Sequence, residues 1–159
     1  MMTQHTRIWG VTPVETVRTM TGLAFLEAIR DGTLPAPPMA QLLGFELSQV
    51  ERGRAVFEGT PGPQHYNPIG SVHGGFAATL LDSCMACAVQ STLAQGLGYT
   101  TLEFKINLVR ALSDTTGKVR AEGTVLAVGR RIATADGRLL DAQGKLYAHA
   151  TTTCLILEL

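Results

Sequence analysis

Apolar positions recur along the chain with three different periods. In the first segment Val17, Thr21, Ala24, Phe25 and Ala28 fall at helical spacing, which predicts one helix over about 13–31. Thr12 is placed to cap it, Pro13 suits the first helical position, and Glu15 can close a capping box. Asp31-Gly32 and the Pro35-Ala36-Pro37-Pro38 run stop that helix. From Leu43 the period falls to two. Phe45, Leu47 and Gln49 alternate with Glu46, Ser48 and Val50, and Glu51-Arg52-Gly53 turns the chain into a second strand at 55–58. A third pattern covers about 75–94, ending at Gly96 or Gly98, where the residues are apolar on nearly every helical face. Such a helix must be surrounded by protein. Strand-like segments follow at 101–108, 117–128, 132–140 and 145–157, and in the first of them Leu102, Phe104, Ile106 and Leu108 are expected to face the core.

The predicted order is therefore β-β-α-β-β-β-β behind an N-terminal helix. Consecutive strands joined by short turns imply a largely antiparallel sheet. One apolar helix cannot be covered by a flat sheet on one side, so the sheet is expected to curl around it, with a second subunit closing what remains open. The chain divides into an N-terminal extension, 1–40, and one domain, 41–159, and contains no internal repeat.

Composition narrows the class. The chain has 159 residues, enough for one domain with a substantial core, and its 13 basic residues balance 13 acidic ones. Zero formal charge argues against a general nucleic-acid or anionic-membrane binder. Cys84, Cys87 and Cys154 are odd in number and lie in apolar runs, the pattern of reduced, buried thiols. No signal peptide is evident, and the longest apolar run is too short to cross a bilayer. These features predict a soluble, cytoplasmic protein of a single domain.

Candidate chemistry gathers between Asn67 and Asp82. From Gly59 to Leu102 the only Asp, Glu, Lys or Arg is Asp82, two turns into the apolar helix. Ala78, Thr79, Met85 and Ala86 occupy the neighbouring helical positions, so no intrahelical partner exists. The carboxylate either meets a distant Arg or a solvated groove, or it serves as a base or nucleophile. Gly74-Gly75 is either a tight turn or a helix start whose free N–H groups receive a polarised oxygen. Eight residues separate Gly74 from Asp82, about 12 Å along a helix, so the two cannot flank one carbonyl within one chain. If both serve one reaction, a symmetric partner must supply one of them. His65 and His73 lack further ligands at metal-binding spacing, and Cys84-x-x-Cys87 reads as core. Arg110, Arg130 and Arg131 stand out among few charges, and the Arg130-Arg131 pair is either an exposed turn or a phosphate clamp.

Taken together, Asn67-x-x-Gly70-x-x-His73-Gly74-Gly75 followed by Asp82 in an Ala-rich helix resembles the hotdog-fold acyl-CoA thioesterases, most closely the phenylacetate-degradation (PaaI-like) branch. The element order agrees over about 40–157. The resemblance implies an α+β fold, a curled antiparallel sheet wrapped around one long helix. It also implies a homodimer, or a homotetramer of paired dimers, with active sites at the subunit interface. It further implies hydrolysis of an acyl-CoA, coenzyme A being part of the substrate. By position, Gly74 would polarise the thioester carbonyl, and Asp82 of the partner would act as general base or nucleophile. Asn67 would orient the thioester or water, Thr101 would stand near that water, and His73 would touch the thioester oxygen. Gly75, Phe76, Met85 and Arg110 would contact the substrate, Arg130 and Arg131 would fit the region that holds the CoA phosphates, and hydrolysis would need no metal or redox cofactor. Two other readings share the fold: a non-catalytic acyl-CoA-binding regulatory domain and a hotdog dehydratase. The first does not require Asp82 and Asn67, and the second pairs a His with an acid at a different spacing.

Overall fold

The computed structural model describes residues 7–159. Three short helices lead in: α1 Val14–Val17, α2 Gly22–Arg30 and α3 Pro38–Leu43. The strands are β1 Phe45–Glu51, β2 Arg54–Gly59, β3 Leu97–Leu108, β4 Val119–Val128, β5 Ile132–Asp141 and β6 Leu146–Glu158, and the long helix α4 is Gly74–Gln90. One antiparallel six-stranded sheet runs β1-β2-β4-β5-β6-β3 and wraps around α4.

Small residues let the helix lie directly on the sheet. Gly123 of β4 and Gly137 of β5 are register partners beneath it. A methyl at Gly123 would overlap the Cys84 backbone, and one at Gly137 would come within 2.9 Å of Met85 Cγ. Ala121, Ala135, Ala148 and Ala150 continue that floor and are buried. Leu80, Leu81, Cys84 and Met85 fill the space above it.

Five expectations are corrected. The N-terminal segment is two helices rather than one over 13–31, because Thr21 is extended and its Oγ1 accepts from Ala24 N–H (3.3 Å) to start α2. Pro13, not Thr12, precedes α1, and no side chain caps it, so the capping box does not form. The long helix closes at Gln90, four residues early, as 3-10-type bonds from Thr92 to Val89 and Leu93 to Gln90 tighten its end. In β1 a bulge between Leu47 and Gln49 turns Val50 inward and Gln49 out.

The fifth correction concerns β3. Phe104, Ile106 and Leu108 do stand on the helix side of the sheet, in register with buried Thr152, Ala150 and Ala148. They are nonetheless not core: Phe104 is 37 % and Leu108 57 % exposed, and Leu102, at a bulge, is 54 % exposed. β3 is one of the sheet's two edge strands, and α4 covers its first residues but not the stretch over 102–108. The uncovered apolar strip meets a half-exposed stripe of α4: Ala78, Thr79, Asp82 and Ser83.

Candidate active site

Two clusters form at different heights along α4. The first surrounds its N-terminus. His73 is the N-cap, and its Nδ1 accepts the Gly75 N–H at 2.9 Å, while its carbonyl takes the Phe76 N–H at 3.0 Å. Among the described residues the Gly74 N–H has no acceptor, so one donor at the positive end of the helix stays open. The acceptor role of Nδ1 leaves the proton of a neutral His73 on Nε2, at the surface.

Asn67 holds the loop that presents this turn. Its Oδ1 accepts from the Ile69 and Ser71 N–H groups, both at 3.1 Å, and its Nδ2 donates to Ser71 Oγ at 2.9 Å. Gly70, at φ +83, completes the turn. Asn67, His73 and Gly74 share a cleft of about 320 Å³ with Leu108, Arg110 and Tyr147. The Arg110 guanidinium lies 6.0 Å from the Tyr147 ring. Gly75 and Phe76 face a separate hollow beside His65, whose ring stacks on Phe76 with centroids 4.4 Å apart.

The second cluster is Asp82 with Thr101. The Thr101 hydroxyl donates to Asp82 Oδ1 at 3.0 Å, supplying the partner that the helix itself lacks. Burial pushes the Asp82 carboxyl above the usual carboxylate range, and the Thr101 hydrogen bond pulls it partly back. No cationic side chain contributes to that balance.

The sheet register sorts the arginines. Arg110 follows the Leu108 end of β3, in the Gly74 cleft. Arg130 and Arg131 form the β4–β5 turn at the opposite end, where the Ile156 N–H donates to the Arg131 carbonyl at 2.8 Å and Ala133 pairs with Cys154 beside Thr101. Among the described residues none of the three forms a salt bridge. One chain thus carries Gly74 with Arg110 at one end of α4, and Asp82 with Arg130 and Arg131 toward the other. Met85 does not join either group. It is fully buried on Gly137, because its position on α4 points at the sheet. Ser71 and Tyr147 were not singled out from the sequence. Ser71 lies in the loop pattern, but Tyr147 comes from β6 with no local signal.

Among the described residues no three His, Cys, Asp or Glu side chains gather in metal-binding geometry, and no helix is long and apolar enough to cross a membrane. The three cysteines are free thiols.

Comparison with known proteins agrees with this architecture. An esterase-family protein of Saccharolobus solfataricus is 29% identical over 134 residues, covering 84% of this chain and 93% of that one. A thioesterase from Ralstonia eutropha, related to phenylacetic acid degradation, superposes with TM-score 0.74 at 28% identity, covering 82% of this chain and 98% of its own. The PaaI protein of the E. coli phenylacetic acid degradation operon superposes with TM-score 0.69 at 25% identity, covering 76% of this chain and 84% of its own. Residues 69–148, which carry Gly74, Asp82, Thr101 and Arg110, match the thioesterase superfamily. The fold is the hotdog fold, and the chain belongs to the thioesterase superfamily, with PaaI-like proteins among its structural neighbours.

Proposed function

We propose that the protein hydrolyses acyl-CoA thioesters at sites shared between two copies of the chain. The observation that carries this reading is the split of the chemistry along α4. An open Gly74 N–H and a half-buried Asp82 lie about 12 Å apart on one rigid helix. A symmetric partner brings the Asp82 half of one copy against the Gly74 half of the other. The uncovered face of β3 and the adjoining stripe of α4 supply an apolar surface for that partner.

In the composite site the thioester oxygen accepts from the Gly74 N–H, backed by the helix dipole. Asp82 takes a proton from water as the oxygen attacks the carbonyl carbon. Negative charge builds on the carbonyl oxygen and is stabilised by the N–H. The C–S bond then breaks, electrons leave with the sulfur, and the proton held by Asp82 returns to the departing thiolate. Thr101 keeps the carboxylate oriented and ionised. Arg110 of one copy and Arg130 with Arg131 of the other approach the same site, without ion-pair partners of their own, which suits the phosphates of CoA.

The test is thiol release from acetyl-, octanoyl-, palmitoyl- and phenylacetyl-CoA by the native protein and by Asp82→Asn. Loss of general-base assistance should lower kcat by about 10²-fold or more. Turnover near the native level in Asp82→Asn would refute the assignment.

A further inference from the structure

The hydrolytic chemistry leaves one cavity unused. About 430 Å³ lies between the N-terminal extension and the far half of α4. Val14 and Val17 of α1 and Phe25 and Ile29 of α2 form one wall; Cys87 and Gln90 of α4 and Tyr99 of β3 form the other. Among the described residues no Asp, Glu, Lys or Arg side chain lines it. The Ralstonia relative, matched over 98% of its own length, accounts for only 82% of this chain, and the superfamily match begins at residue 69. The cavity therefore owes one wall to a part of the chain outside that match.

Two observations tie it to the reacting carbon. Tyr99 precedes Thr101 by two positions, on the same face of β3, and Cys87 and Gln90 follow Asp82 along α4. The cavity thus opens about two turns beyond the carboxylate. Burial first, and the Asp82 charge second, push the Cys87 thiol up to about 12, which reflects the closeness of the two groups. The second observation is Gln90. It is 6 % exposed and lines the cavity, and its amide makes no hydrogen bond to another side chain or to backbone among the described residues, yet it is not sealed off from solvent as His65 Nε2 is. The amide therefore draws its hydrogen bonds from water in the cavity, water that an entering chain would displace.

We propose that this cavity receives the tail of a saturated medium-chain acyl group whose thioester carbon sits at Asp82, with the Gln90 amide setting the length accepted. This rests on the thioesterase reading above. Asp82 to Gln90 spans about 12 Å along the helix axis, which about nine or ten carbons cover at an advance of ~1.3 Å per bond along a zigzag. Each methylene up to that depth leaves water for an apolar wall. A longer chain displaces the water that satisfies Gln90 and offers nothing in return.

The test is kcat/KM for acyl-CoA esters from two to sixteen carbons. In the native protein it should rise by up to about fourfold per methylene and fall beyond about ten carbons. Ile29→Trp fills the outer wall. It should lower decanoyl-CoA hydrolysis by about tenfold or more while butyryl-CoA stays within about twofold. Val17→Trp, on the more exposed α1, repeats the measurement if Ile29→Trp melts without cooperativity. Gln90→Leu should move the optimum to longer chains. Equal loss at every chain length, or none in either Trp variant, overturns the proposal. If no ester in the series is hydrolysed, the thioesterase reading fails instead. Decanoic acid displacing 1-anilinonaphthalene-8-sulfonate then decides the cavity: displacement that Ile29→Trp weakens upholds it, and no displacement overturns it.

Discussion

Gly74→Pro tests the proposed oxyanion donor with little disturbance of the fold. Proline removes the one N–H of the first turn that has no acceptor, and no intrahelical bond is lost. The backbone is already suited to it: His73 sits at φ −59, ψ 135, the extended conformation that a residue before proline requires. The added Cβ meets only the Leu108 Cδ1 at 2.7 Å, the end of an exposed, flexible side chain. Loss of one such donor should cost about 10²–10³ in kcat, or ~2.7–4 kcal/mol, with thermal stability and assembly unchanged. Mixing with Asp82→Asn then tests the shared site. A hybrid dimer has one complete site of two, so it should show about half the native rate, and random 1:1 reassembly, half hybrids, about one quarter. Each variant alone should remain near or below about one per cent. Thiol release after subunit exchange reads this directly. A mixture no more active than its components would refute the division of Gly74 and Asp82 between subunits, and near-native turnover by Gly74→Pro alone would refute the donor role.

Other perturbations probe the supporting structure. Thr101→Val removes the hydrogen bond that favours ionised Asp82, so the acid limb of the kcat/KM–pH profile should move to higher pH; an unmoved or lowered limb would contradict this. The same burial links Asp82 to stability. Its folded-state pKa is raised, so its contribution is greatest below the unfolded value and is lost as pH rises through the folded one. Asp82→Asn should therefore melt higher than the native protein at neutral pH, a difference that shrinks in acid, and calorimetry across pH checks it. Gly123→Ala drives a methyl into the Cys84 backbone and must lift α4. Overpacking against main chain should cost about 3 kcal/mol, or roughly 6–12 °C in Tm; a change below about 1 kcal/mol in urea unfolding would show that the contact relaxes.

Local pattern carried most of the architecture. Period-two alternation located the strands, the all-apolar run located α4, and turn residues joined them in an antiparallel order, because each signal is confined to a few consecutive residues. The family motif also lies in one stretch, 67–82, which is why Asn67, His73, Gly74 and Asp82 were legible together. Periodicity could not tell where coverage ends. Phe104 and Leu108 alternate like core residues and stand on the helix side of the sheet, yet β3 is an edge strand and they remain exposed. Nor could it separate α1 from α2, since the Thr21 cap interrupts a stripe that looks continuous.

Contacts across the sequence were decided only by the tertiary structure. Asp82 meets Thr101 nineteen residues away through a strand register, and Met85 turns toward Gly137, leaving the substrate side. Arg110 reaches the Gly74 cleft while Arg130 and Arg131 go to the other end, because β3, β6 and β5 align them so. The sequence alone determined which groups are chemically able to act, since residue type and helical rise are local properties. Their assortment into two clusters required the sheet, because pairing between distant strands sets which groups share a height along the helix.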